Sequence, residues 1–152
     1  MPKSDLADAR AVLLDVFDHA FDKRSWHGAN LTSAIRGVDA TTAARRVRGR
    51  RNIWEQVLHA AYWKQAAMNK LTGTLARLPR RGSNWLMPKD ITEAAWRADV
   101  ALLHDVHRRL RAAIATIPVQ ALDQKKRWLI HGIAAHDLYH AGQIKLLRRL
   151  VK

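Results

Sequence analysis

The sequence contains no cysteine. That excludes disulfide frameworks, zinc ribbons and cysteine nucleophiles, and it suits a reducing compartment. Long apolar runs are also missing. No stretch approaches the roughly 20 apolar residues of a membrane span, so no membrane partner is predicted. The first residues, MPKSDLADAR, lack the apolar centre of a secretory signal, which makes the cytoplasm the expected location. Acidic residues are few, 13 against 27 lysines and arginines, for a formal charge of +14. Such a chain is drawn to polyanions. The positive charge is dispersed, however, in small groups at Arg45–Arg51, Arg77–Arg81, Arg108–Arg111 and Lys145–Lys152. No long basic tail or nucleic-acid motif accompanies them. Solvated helix faces are the plainer reading, and an anionic partner is the alternative.

What is present is helical. The 152 residues suit one domain, spanning 1–152, and 48% hydrophobic residues are enough for one core, with six tryptophans to fill it. Leu6, Ala9, Leu13, Val16 and Phe17 recur at three- and four-residue steps, as an amphipathic helix requires, with Ser4 or Asp5 as its cap. A loop is predicted over Asp22–Gly28, then short helical turns after Asn30 and over Asp39–Ala44. Asn52 and Glu55 form a capping-box-like start to a long helix that Gly73 ends. Pro79, Gly82 and Pro88 argue against a helix through Thr74–Pro88. A third long helix runs from near Thr92 to Ile114, and a last one from Leu122–Lys126 almost to Lys152. With no strand pair in view, the expectation is an all-α four-helix bundle with additional short helical turns.

The strongest chemical signal is His136-Asp137-Leu138-Tyr139-His140. Residues four apart on a helix differ by only about 40° around its axis, so two imidazoles at that spacing can reach one metal ion. His59 lies in another long helix, among apolar and aromatic neighbours, where an antiparallel bundle could bring it opposite. Three imidazoles make a site suited to zinc, nickel or iron, with at least one position left for water or substrate. Gln143 shares the face of His140 and could orient a ligand or serve the bundle. Glu55, four residues before His59, reads either as a proton-transfer or supporting carboxylate or as a helix cap. His27 could roof the pocket or pack its own loop, and Gly142 fits close helix packing. The His104/His107 pair, beside Asp105, Arg108 and Arg109, reads as a solvated face.

Two long segments also resemble a known family. Asn52-Ile53-Trp54-Glu55-Gln56-Val57-Leu58-His59-Ala60-Ala61-Tyr62-Trp63-Lys64, followed by Leu71-Thr72-Gly73, looks like the second-helix signature of the DinB-like (DNA-damage-inducible) superfamily. Ala135 to Ile144 looks like its last-helix signature, and Trp26 to Leu31 is similar to a loop found in part of that group. The resemblance implies a four-helix bundle with a three-histidine site on the positions of His59, His136 and His140. It also implies a divalent metal (zinc or nickel first, iron or manganese next) and frequent pairing as homodimers. Some relatives are metal-dependent S-transferases that use thiols such as bacillithiol, mycothiol or glutathione.

Two functions follow as expectations. In the first, the chain is a metal-dependent S-transferase or hydrolase that uses a low-molecular-weight thiol against an electrophilic substrate. Glu55 and Gln143 would assist proton movement, and His27, Trp63 and Tyr139 would shape the cofactor pocket. In the second, it is a non-catalytic metal- or ligand-binding bundle whose basic surface meets an acidic partner or nucleic acid, an attraction that salt would weaken steeply.

Overall fold

Each helix after the first begins where a short polar side chain takes up a free amide. Asn30 and Asp39 accept from the backbone of Ser33 and Thr42, starting α2 (Leu31–Ile35) and α3 (Ala40–Ala44). Asn52 accepts from the Glu55 amide, and the Glu55 carboxylate accepts from the Asn52 amide in return. This closes a capping box at the head of α4 (Ile53–Thr72). Thr92 starts α5 (Glu93–Thr116) and Asp123 starts α6 (Gln124–Leu150). The computed structural model describes residues 3–151. Within them α1 spans Lys3–Phe21, so Ser4 and Asp5 fall inside the helix and the residue before it lies outside the described part. A short 3-10 turn at Val119–Ala121, not anticipated from the pattern, leads into α6. Among the described residues β structure is limited to two isolated bridges, Ser25 with Gly28 and Arg81 with Met87.

The four long helices form the bundle. α1 and α4 each pack on both α5 and α6, so α1 and α4 stand at opposite corners. α4 and α5 run parallel: Trp54 meets Trp96 and Asp99 near the start of both helices, and Gln65 reaches Arg109 further on. α6 runs antiparallel to α4, placing Gln56 beside His140 and Lys64 beside Asp137. α1 runs against α5, with Arg10 bonded to the carbonyl of Ile117 and Phe21 beside His104. Parallel neighbours need a return path. A 20-residue helix is about 30 Å long, which is why the connection from α4 to α5, residues 73–92, is long and irregular.

Two apolar clusters fill the interior. One holds Trp54, Leu58, Leu103 and Ile144; the other holds Phe17, Leu110, Ile114 and Ile130. Between them lies a polar layer. Lys64 falls between Ala61 and Ala67, His107 between Leu103 and Leu110, and Asp137 between Ile133 and Ala141. Lys64 Nζ and Asp137 Oδ2 are 2.5 Å apart with both side chains 0% exposed. His107 is buried and stacks on Phe21 and Phe17, so the solvated face expected for it is corrected. The ring lies inward because α5 turns that face toward the two phenylalanines of α1. The tryptophans divide as well. Trp54 and Trp96 are core, bonded through their indole N–H to Asp99 and to the Val38 carbonyl, whereas Trp26 and Trp128 are exposed.

Candidate metal centre

The antiparallel register of α4 and α6 brings His59 against His136 and His140. The Nε2 atoms of His59 and His136 are 3.3 Å apart, and those of His136 and His140 are 3.1 Å apart. Two supporting bonds fix the ring orientations. His59 Nδ1–H donates to the Asn84 carbonyl at 2.7 Å, and His140 Nδ1–H donates to Gln56 Oε1 at 2.8 Å. A neutral imidazole with its proton on Nδ1 presents a lone pair at Nε2, so both of these rings aim lone pairs at one point. Lone pairs at such separations repel unless a proton or cation lies between them. Zinc–nitrogen bonds of about 2.0–2.1 Å in a tetrahedron place donors about 3.3–3.4 Å apart, close to both spacings. The three donors therefore fit a divalent metal, and they form a group able to hold one.

Electrostatics points the same way. Burial holds all three rings neutral. It lowers His59 below the usual histidine value, despite the Asn84 bond. It takes His136 to about 4, with further lowering from His59 and Lys64. It takes His140 to about 3, with His136 and His59 adding to the effect and Gln143 opposing it. Neutral imidazole is the form that binds metal.

The three rings open onto a cavity of about 460 Å³. Trp85, Tyr139, Leu146, Leu147 and Leu150 supply its apolar lining, with Gln56, Gln143, Arg50 and Arg51 as polar groups. Trp85 lies flat on His59, ring centroids 3.8 Å apart and planes 9° from parallel. Its approach depends on the loop between α4 and α5. There Gly82 has φ +94°, and a Cβ at that position would stand 2.7 Å from the Trp85 carbonyl, so only glycine fits without a shift.

The structure sorts the residues singled out from the sequence. His59, His136 and His140 converge. Gln143 lines the cavity, as does Tyr139, which is 63% exposed and edge-on to His140. Trp63 stays outside the lining. Its indole N–H bonds Asn84 Oδ1, so it braces the residue that holds His59. His27 is exposed in the loop after α1 and is not part of the cavity wall. Glu55 points away into the capping box and into bonds from Arg46 and Arg51. Burial would raise its carboxyl, but the Asn52 amide and the two guanidinium groups outweigh that and hold it ionised. A carboxylate so committed is a poor proton shuttle. Gly142 is exposed with open space where a Cβ would sit, so the close packing expected of it does not occur within this chain. Gln56, Asn84 and Trp85 were not anticipated. Gln56 could have been found three residues before His59 on the same helical face; Asn84 and Trp85 carry no periodic signal.

Comparison with known proteins agrees with this architecture. A family model described as the DinB superfamily matches residues 24–144, and the chain belongs to that superfamily. No curated protein and no solved structure matches it. No helix among the described residues is long and apolar enough to cross a membrane.

Proposed function

We propose that the chain is a metal-dependent transferase that joins a low-molecular-weight thiol to an electrophilic substrate, with hydrolysis at the same centre as its nearest variant. One observation carries the reading: three neutral imidazole donors converge at the wall of a largely apolar cavity of about 460 Å³, so a metal there would keep a face toward a bound molecule. Zinc or nickel suits three nitrogen donors best, with iron or manganese next. When bound, the ion favours the thiolate over the thiol.

The chain's own residues do the rest. Asn84 and Gln56 keep His59 and His140 in the donor tautomer. Trp85, Tyr139 and the leucines of α6 surround the apolar part of a substrate and thin out water around the sulfur. Gln143 offers an amide that can orient a polar group. The new sulfur–carbon bond forms as the leaving group departs with the bonding pair, and the thiol proton passes to solvent because the three imidazoles serve as neutral donors. The sulfur must come from a second molecule, since the chain has no cysteine.

The first test is elemental analysis of untagged protein beside the His136→Ala/His140→Ala variant. The expectation is near-stoichiometric metal in the parent and none in a variant that keeps its helical spectrum. Metal-dependent loss of free thiol across a panel of electrophiles is the second arm. Parent protein that carries no metal and takes up neither zinc nor nickel on reconstitution would end this reading, and metal-loaded protein that consumes no thiol would leave a binding bundle.

A further inference from the structure

We infer that the cavity beside the histidines selects organic anions: molecules with an apolar body and a carboxylate, sulfonate or phosphate group that Arg50 and Arg51 receive. The inference rests on reading that cavity as the substrate chamber, and it adds the charge of the substrate. Its lining holds two arginines and no aspartate or glutamate. Every other polar group in the wall is an uncharged amide, a phenol or a neutral imidazole. The one carboxylate against these arginines, Glu55 behind Arg51, is shared with Arg46, so the wall keeps a net positive charge, to which a divalent metal would add.

The arginines are delivered by a specific piece of backbone. Arg48, at φ +46°, is the one non-glycine residue with positive φ among those described. Left-handed backbone is disfavoured at such a residue and tends to mark functional segments. The turn is held by the Arg50 amide bonding the Val47 carbonyl at 2.9 Å and by the Arg46 guanidinium bonding the Arg50 carbonyl. Arg51 is then fixed on two sides, by Glu55 at 3.0 Å and by the Trp85 ring, 4.7 Å from its centroid. Because Trp85 also stacks on His59, Arg51, the aromatic wall and the metal-binding face form one continuous surface. Arg50 is exposed and has no ion-pair partner among the described residues, which leaves its guanidinium available to a ligand. An arginine takes a carboxylate or phosphate through paired hydrogen bonds.

The test uses two fluorescent probes of nearly the same shape, anilinonaphthalene sulfonate and the uncharged phenylnaphthylamine, titrated into the metal-loaded protein. The sulfonate should bind at least about tenfold more tightly. Arg50→Gln/Arg51→Gln should weaken the sulfonate by about tenfold and leave the neutral probe unchanged, while Arg50→Lys keeps most of the preference. Arg108→Gln/Arg109→Gln removes the same charge elsewhere and should change neither. Equal binding of the two probes, or equal losses from the near and remote pairs, overturns the inference. The arginine effect should persist in His136→Ala/His140→Ala protein. Failure of the thiol-transfer reading therefore shows as lost metal or lost thiol consumption, and failure of this one as lost probe discrimination.

Discussion

The bundle holds two groups of buried and half-buried histidines, and they differ in almost everything except burial. His59, His136 and His140 turn Nε2 atoms toward one another beside an open cavity. His107 is packed flat against Phe17 and Phe21, its Nδ1 without a partner, with His104 edge-on to Phe21 nearby. Burial depresses the basicity of both groups, His107 to about 2 and His140 to about 3. A low histidine pKa therefore does not distinguish a ligand from a ring in a core. What distinguishes them is the direction of the lone pairs, the bonds at the far nitrogen that fix that direction, and access to a ligand.

The sharpest way to break this comparison is to exchange the losses. His140→Ala should cut zinc affinity by at least about a hundredfold, a scale that loss of even a supporting partner can approach. His107→Leu should leave zinc affinity within about twofold, since a ring with an unpartnered nitrogen gives up little when replaced by an apolar group. Calorimetric titration of both variants decides the matter, and equal losses would mean that the two groups act as one site.

The next effect concerns the ion pair in the polar layer that also holds His107. Lys64→Met leaves Asp137 buried without its cation, which should cost about 3–5 kcal/mol, while Lys64→Met/Asp137→Leu should recover most of that. Urea unfolding of metal-free protein measures both. If the double variant recovers stability but loses zinc affinity, the ion pair sets the register that places His59 opposite His136 and His140. If it keeps both, the pair is replaceable.

Acid should separate the groups more gently. In the folded protein His107, His136 and His140 titrate near 2, 4 and 3, against an ordinary histidine value of 6.5. As pH falls below about 6.5 the unfolded chain takes up protons that the folded one refuses, so stability declines through the window from 6.5 to about 4. The slope is about 1.4 kcal/mol per pH unit for each histidine fully engaged. In metal-free protein His107→Leu should remove one proton from that slope. Adding zinc should extend the dependence to lower pH in the parent and in His107→Leu alike, because protons compete with the metal only where the folded rings themselves titrate, near 4 for His136 and 3 for His140. A His107→Leu slope equal to that of the parent would contradict the assignment.

The smallest effect tests the exposed face of α6. Gly132 sits inside the helix, and a Cβ added there would meet nothing within 4 Å. Gly132→Ala should therefore raise stability by about 1 kcal/mol, visible as a higher thermal midpoint. A loss would mean that this face is packed in solution.

Much of this architecture is written locally. Asn52 with Glu55, Gly73, Thr92 and Asp123 mark helix ends through bonds within a few residues, and apolar spacing marks the faces. His136 and His140 share a face because a helix places residues four apart together, whatever surrounds it. For the same reason the His-x-x-His pair at 104 and 107 misleads: spacing says that two rings are neighbours, not whether water or phenylalanine lies beyond them. Only the tertiary structure brought His59 to within 3.3 Å of His136, since that depends on the antiparallel register of α4 and α6 across 77 residues of chain. It also decided that Asn84 and Trp85, from an irregular return loop, would orient and cover His59, and that Glu55 would be spent on a helix start and two arginines. Local hydrogen bonding and side-chain periodicity act over one or two turns and can be read along the chain. The convergence of lone pairs on one point comes from packing between distant segments, and no single segment carries it.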